Sequence, residues 1–132
     1  MSLLAWLQGM IRGAGAPLED LGVISMTTQD ELAQAIEHSH REPVFIFKHS
    51  TSCPISSAAH QRVRKYIEQA GENAPAFYLV KVIESRPVSN EIAQRLGVTH
   101  QSPQLILVRD GKRVWDRSHG AIDAASIDAA LG

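Results

Sequence analysis

The stretch "KHSTSCPIS" at Lys48–Ser56 contains the only cysteine among 132 residues. It follows the run "VFIF" at Val44–Phe47, and four consecutive apolar residues predict a strand that is covered on both faces. Pro54 suits the first position of a helix, where a missing N–H costs nothing. We therefore predict that Cys53 lies where a central strand meets the start of a long helix, which ends at Gly71.

The rest of the chain predicts an alternation of strands and helices. The further predicted elements are strands at Leu21–Met26, Ala76–Ile83, Gln104–Asp110 and Lys112–His119, and helices that start at Thr28, Ser89 and Asp123. Thr28 and Glu31 have the spacing of a capping box, and Asp110–Gly111 is typical of a hairpin turn. The order β-α-β-α-β-α-β-β-α predicts an α/β fold with a mixed sheet of about five strands and helices on both faces.

The first 20 residues stand apart from this alternation. Apolar residues recur there at helical spacing, at Leu3, Leu4, Leu7, Met10 and Ile11. We therefore divide the chain into an N-terminal extension at 1–20, with a short helix, and one domain at 21–132. That helix either docks on its own domain or binds a partner or a membrane surface.

Composition excludes several classes of protein. Apolar residues make up 44% of the chain and charged residues 20%, and the net charge is −1; these values fit a globular domain and give no nucleic-acid footprint. No apolar run has the length of a membrane span, and the first residues lack the pattern of a signal peptide. A single cysteine argues against a disulfide scaffold, so we expect a reducing, cytoplasmic setting.

The position of Cys53 favours a reactive thiol. A helix N-terminus carries unpaired N–H groups and a partial positive charge, and both favour the thiolate over the thiol. Lys48 and His49 are close in sequence and are expected to add positive charge. The alternative is a buried cysteine that acts as a small apolar side chain, but the polar neighbours Ser50–Ser52, Thr51 among them, favour the reactive interpretation.

Ser56 occupies the second cysteine position of a C-x-x-C motif. A dithiol site attacks with its first sulfur and resolves with its second. The Ser56 hydroxyl is able to donate a hydrogen bond to the sulfur of Cys53 but cannot form a disulfide. The chemistry is therefore expected to stop at a mixed disulfide with an outside thiol.

The element order, with a cysteine at the start of the second helix, is similar to the thioredoxin fold, and "FKHSTSCPIS" resembles the monothiol bacilliredoxins of the T-C-P-I-S type. The resemblance spans Leu21–Leu131 and leaves the N-terminal extension outside. It implies a thiol–disulfide oxidoreductase that removes bacillithiol, a small bacterial thiol, from client proteins through Cys53. Pro54, Ser56, His49 and Thr51 would support that cysteine, and bacillithiol would be a co-substrate, with no resident cofactor.

The resemblance also implies binding residues. The thioredoxin fold predicts a cis proline facing the cysteine, and Ser102–Pro103 is the match; an ordinary trans proline is the alternative. The Ser102 backbone would then be free to pair with an extended substrate segment. Bacillithiol carries a malate, which predicts a basic pocket, with Lys48 the nearest candidate in sequence. The other candidates are Arg62, Arg64 and Arg86.

Proton transfer has no obvious acidic residue. Dithiol thioredoxins usually bury a carboxylate in the strand before the motif, and Val44–Phe47 has none. Protons would then move through solvent, the outgoing thiol or His49, although the pattern favours a solvated or capping His49 over an acid–base role. No metal spacing is present among the remaining histidines, His38, His40, His60, His100 and His119.

Two other functions are compatible with a lone cysteine. A monothiol thioredoxin-like protein can carry an iron–sulfur cluster between two subunits or act as a non-enzymatic adaptor, but the typical motif "CGFS" has a glycine that "CPIS" lacks. A peroxidase would use Cys53 against peroxide, yet the T-x-x-C spacing of peroxiredoxins is absent, because Thr51 lies two residues before Cys53.

Overall fold

The computed structural model describes residues 17–132 of the chain. Within that range the chain forms strands β1 (Ile24–Ser25), β2 (Val44–His49), β3 (Ala76–Lys81), β4 (Gln104–Arg109) and β5 (Lys112–Ser118), and helices α1 (Gln29–His38), α2 (Pro54–Ala70), α3 (Arg86–Leu96) and α4 (Ala124–Leu131). The helix predicted at the N-terminus lies outside the described residues. None of the helices within 17–132 is both long and apolar enough to cross a membrane.

The five strands form one mixed sheet in the order β1-β3-β2-β4-β5. Strand β3 pairs in parallel with β1 and with β2, whereas β4 runs antiparallel to β2 and to β5. All six residues of β2 are buried, as expected for a central strand. The predicted mixed sheet is therefore confirmed, and β2, which leads into the cysteine motif, lies in its middle.

The two faces of the sheet carry separate hydrophobic cores. Because side chains alternate along a strand, Phe45 and Phe47 pack on one face against α2 and α4. Val44 and Ile46 pack on the other face against α1 and α3. Consecutive residues at the end of β2 therefore point into different environments.

Several local signals produce the structure that they predict. The Thr28 side chain accepts from the Glu31 N–H and the Glu31 carboxylate accepts from the Thr28 N–H, so the capping box forms at the start of α1. Gly71 follows the last residue of α2. Asp110 and Gly111 have φ values of 51° and 77°, the left-handed conformation that a two-residue hairpin loop of type I′ requires.

Strands β1 and β3 are shorter than predicted. Leu18–Leu21 form a 3₁₀ turn that ends at Gly22, whose φ of 88° breaks the extended run, so β1 keeps only two residues. Leu18, which the sequence assigned to the N-terminal extension, is completely buried in the core beneath α2. Strand β3 ends at Lys81, and the chain turns before Ile83.

The predicted start of α3 at Ser89 is wrong. The N-cap is Ser85 and the helix begins at Arg86. Pro87 lies in the first turn, where its missing N–H has no partner to lose. Ser89 is instead a buried residue inside the helix, 1% exposed.

Candidate active site

Cys53 lies at the end of the loop that joins β2 to α2. It is the N-cap of α2 in an extended conformation, with φ −109° and ψ 122°, and Pro54 is the first helical residue. Its carbonyl accepts a hydrogen bond from the Ser57 N–H at 2.9 Å. The residue is half-buried, and among residues 17–132 its thiol has no hydrogen-bond partner. The sulfur is therefore partly exposed at a helix start, as the sequence predicts.

The Ser56 hydroxyl bonds to the loop and to β2 instead of to the Cys53 sulfur. Ser56 is completely buried, and its Oγ accepts the Ser50 N–H at 2.9 Å. The same oxygen is 2.7 Å from Nδ1 of His49. The predicted hydrogen bond from Ser56 to the Cys53 sulfur is therefore not formed, because the hydroxyl ties the loop to β2.

His49 is buried and uncharged at neutral pH. Only 7% of the residue is exposed, and its ring lies against Phe47 and, with centroids 4.8 Å apart, against His60. Burial lowers the pKa of His49 to about 4, and the charges of His60 and Lys81 contribute to the shift. The expectation that His49 adds positive charge beside Cys53 is therefore wrong. No hydrogen bond joins it to the thiol, so the geometry gives no direct support for an acid–base role.

The hydrogen bond between Ser56 and His49 defines the proton on the imidazole. Ser56 Oγ already accepts from Ser50, and its own proton has no other acceptor among residues 17–132. Buried hydroxyl groups are almost always satisfied. We therefore assign the hydroxyl as the donor to Nδ1 of His49, which places the proton of the neutral ring on Nε2.

Lys48 lies on the opposite face of the sheet from α2. The residue is completely buried. Its Nζ donates to the Ser89 carbonyl at 3.0 Å and lies 3.1 Å from Nδ1 of His100. Burial lowers the pKa of Lys48 to about 8. The structure therefore does not support the prediction of Lys48 as a ligand for malate, because its ammonium group is enclosed and already bonded.

The Ser102–Pro103 bond is cis, as predicted. Gln104 is the first residue of β4 and pairs with Lys48. Ser102 and Pro103 therefore lie beside the end of β2, where the cysteine loop begins. The Gln104 side chain donates to the Thr99 carbonyl at 3.0 Å and accepts from the Gln101 N–H at 3.4 Å. The loop before β4 is thus held from within at the β4 side of Cys53.

A cavity of about 410 Å³ opens on the other side of the cysteine loop. We call it the β3-side pocket; the polar residues that line it are Glu19, His49, Thr51, Ser57, His60, Gln61 and Lys81. Strands β3 and β4 flank β2 on opposite sides. The β3-side pocket and Ser102–Pro103 therefore approach Cys53 from opposite directions.

The predicted arginine candidates do not form a basic pocket. Arg62 donates to the carbonyls of Ile122 and His119, at 2.6 and 3.1 Å, and Arg64 pairs with Glu68 at 2.8 Å. Arg86 is exposed in the first turn of α3, on the face that holds Lys48.

The cation that the sequence reasoning missed is Lys81. Strand β3 pairs in register with β2, so Lys81 lies directly beside His49. Alignment of the two six-residue strands by their ends would have revealed this neighbour. Within residues 17–132, no group of three or more His, Cys, Asp or Glu side chains is arranged to hold a metal ion.

Solved structures place this arrangement in a class. A structure described as a candidate oxidoreductase with a thioredoxin fold aligns with a TM-score of 0.77 and 32% identity, over 89% of this chain and all of the other. The thioredoxin of Malassezia sympodialis aligns at 0.64 with 20% identity, over 83% of this chain and 87% of its own. Mitochondrial thioredoxin 3 of Saccharomyces cerevisiae aligns at 0.63 with 18% identity, over 83% and 93%. The chain is a redox oxidoreductase with a thioredoxin-like fold.

The sequence itself defines the family more narrowly. Residues 24–127 match the family described as "Monothiol bacilliredoxin BrxC". That range includes the cysteine motif, the Ser102–Pro103 bond and all five strands. The chain belongs to the monothiol bacilliredoxin family.

Proposed function

We propose that this protein removes bacillithiol from client proteins by monothiol exchange through Cys53. The observation that carries the proposal is the single, partly exposed thiol at the N-cap of α2, with the second motif position taken by Ser56. Ser56 is buried and hydrogen-bonded to Ser50 and His49. The motif therefore offers one attacking sulfur and no internal route to a disulfide.

The proposed reaction has two exchanges. In the first, the Cys53 thiolate attacks the bacillithiol sulfur of the mixed disulfide; a new S–S bond forms, the old one breaks, and the client leaves as a thiolate. In the second, another bacillithiol thiolate attacks the bacillithiol sulfur on Cys53. Cys53 leaves as a thiolate and bacillithiol disulfide is released. Overall, the sulfur of the second bacillithiol is oxidised and the client cysteine is reduced, whereas the capping bacillithiol sulfur remains in a disulfide throughout.

The surface around Cys53 suits a protein client. Pro54 is exposed and the Ile55 side chain is 55% exposed, so apolar surface borders the sulfur. Ser102 and Pro103, the two residues that precede β4, lie on the adjacent side. We propose that a client segment occupies this β4 side of the site.

The proposal extends to setting and partners. We propose that the protein acts in a bacterial cytoplasm, where thiols are kept reduced. Its partners would be bacillithiol and bacillithiol-capped proteins, and neither nucleic acid, membrane nor a resident cofactor takes part. The proposal of no resident cofactor separates this function from cluster carriage between two subunits.

Intact mass spectrometry of a single-turnover mixture tests the function. A client carrying one bacillithiol is expected to lose it to the wild type, which gains one bacillithiol on Cys53. Cys53→Ser should abolish the transfer, because a hydroxyl near neutral pH is a far weaker nucleophile than a thiolate. A client capped with glutathione serves as the matched control, since it lacks the malate and glucosamine.

The outcomes separate the candidate functions. Equal rates on the two caps would leave a general monothiol exchanger and remove the claim for bacillithiol. No transfer from either cap, with Cys53 shown to be reduced, would defeat the enzymatic proposal. Visible absorbance of anaerobically purified protein would then favour cluster carriage.

A further inference from the structure

The β3-side pocket is lined by a largely buried histidine, one of whose ring nitrogens has no partner among residues 17–132. His49 lines this pocket, and only 7% of the residue is exposed. Its Nδ1 is occupied by Ser56, whereas Nε2 has no hydrogen-bond partner among residues 17–132. Since Nε2 carries the proton, the ring presents an N–H group that a bound acceptor would satisfy.

The other polar groups of the pocket add mainly donors. Lys81 lines the same cavity beside His49, and within residues 17–132 its ammonium group has no ion pair. The hydroxyl groups of Thr51 and Ser57 also border the cavity. A site with an ammonium group, an imidazole N–H and hydroxyls suits a carboxylate, which only accepts hydrogen bonds. Glu19 supplies an acceptor at the exposed rim for an amine or a sugar hydroxyl.

The pocket has the size and place for a small thiol at Cys53. Its volume of about 410 Å³ falls within the range of small-molecule sites, about 300–1,000 Å³. Thr51 lies two residues before Cys53, and the Ser57 N–H bonds the Cys53 carbonyl at 2.9 Å. The mouth of the pocket therefore borders the loop that carries the sulfur, on the side away from Ser102–Pro103.

We propose that the β3-side pocket binds the carboxylate-bearing part of the small thiol that exchanges at Cys53, with Lys81 and His49 Nε2–H as the donors. This inference rests on the proposed function and specifies where its co-substrate is held. The thiol would enter from the β3 side while the client lies on the β4 side. In both exchanges the attacked sulfur belongs to the small thiol, so the pocket would hold that thiol while the other partner arrives or leaves.

The test compares Lys81→Gln with a matched control, Lys112→Gln, which removes the same charge from an exposed residue on the distant edge strand β5. Clients are capped with bacillithiol, with glutathione, or with 2-mercaptoethanol, which has no carboxylate. Cap transfer to Cys53 is followed by intact mass. Lys81→Gln should slow transfer from bacillithiol about tenfold, the loss expected for one hydrogen bond to a charged group. Transfer from 2-mercaptoethanol should be unchanged, and Lys112→Gln should match wild type on all caps.

The glutathione arm identifies the group that is recognised. If Lys81→Gln also slows transfer from glutathione, the pocket recognises a carboxylate in general; if it slows only bacillithiol, the pocket recognises the malyl group. Either result supports the proposal. If Lys81→Gln behaves as Lys112→Gln on every cap while wild type transfers bacillithiol, the pocket inference is overturned and the proposed function stands.

A binding measurement makes the inference independent of turnover. Cys53→Ser protein is titrated with S-methyl bacillithiol while the imidazole signals of His49 and His60 are followed by NMR. Both sets of signals should shift with S-methyl bacillithiol and with malate, and neither with methyl glucoside. Unmoved signals at millimolar ligand would overturn the inference. If these signals shift but the wild type transfers no cap, the carboxylate site is supported and the proposed function fails.

Discussion

Lys48 and His49 are neighbours in the chain, yet they lie on opposite faces of the sheet. Both are buried, and both have lowered pKa values, about 8 for Lys48 and about 4 for His49. Lys48 is enclosed beneath the loop before β4 and has two hydrogen-bond partners. His49 borders an open cavity, and within residues 17–132 its Nε2 has no partner. The same degree of burial therefore has different consequences: Lys48 belongs to the support of the fold, and His49 is available to a ligand.

The largest expected effect is the loss of the Lys48 side chain. Lys48→Ala removes a fully buried aliphatic stem and should lower the free energy of unfolding by about 2–4 kcal/mol. Lys48→Met keeps most of that stem and removes a charge that is costly to bury, so it should change stability by only about 1 kcal/mol. Urea unfolding at pH 7 measures both variants. Equal losses in the two would show that the hydrogen bonds to Ser89 and His100, and not packing, make Lys48 important.

The next effect is an alkaline pH dependence of stability from Lys48. Its pKa falls from 10.5 to about 8 on folding, so between these values the folded protein binds fewer protons than the unfolded chain. Stability attributable to this residue therefore rises with pH across that window. The unfolding free energy of wild type, relative to that of Lys48→Met, should therefore rise by about 2–3 kcal/mol from pH 8 to 10.5. A constant difference would mean that Lys48 titrates normally.

The local features of the fold were predictable because their causes lie within a few residues. The covered strand Val44–Phe47, the capping box at Thr28 and the turn at Asp110–Gly111 each depend on neighbours in the chain. Cys53 at a helix start is of the same kind, since Pro54 alone favours that position. These are the parts of the site that the sequence analysis placed correctly.

The partners of the charged residues were not predictable in this way. Lys48 meets Ser89 and His100, which are 41 and 52 residues away, so its burial depends on how α3 covers the sheet. Lys81 reaches His49 only through the register of β3 with β2. Proximity in sequence made Lys48 the favoured ligand, and the alternation of the strand directs it to the other face.

A smaller effect is expected on the acid side, from His49. Its pKa falls from 6.5 to about 4 on folding, so below pH 6.5 the unfolded chain takes up a proton that the folded protein does not. Stability is therefore lost as pH falls through this window. The loss should be about 1–2 kcal/mol, less than for Lys48, because the β3-side pocket admits water to the ring.

His49→Asn measures this contribution, because asparagine retains a polar partner for Ser56 but does not titrate. Its unfolding free energy should fall less than that of wild type between pH 6.5 and 4, and the two proteins should run parallel above pH 7. Lys48→Met, with His49 intact, is the control and should keep the acid slope of wild type. Parallel curves for His49→Asn and wild type throughout would show that His49 is not protected from protonation.

The smallest effect, and the one that separates support from chemistry, is that of Ser56→Ala. The change removes the acceptor of the Ser50 N–H and the donor to His49 Nδ1, and it should cost about 1 kcal/mol of stability. It should also free the imidazole to change its tautomer, which the ¹⁵N shifts of His49 report directly. Transfer of bacillithiol to Cys53 should persist, because the Ser56 hydroxyl bonds the loop and not the sulfur. Loss of transfer in a folded Ser56→Ala protein would place this hydroxyl in the reaction and would join the His49 side of β2 to the chemistry at Cys53.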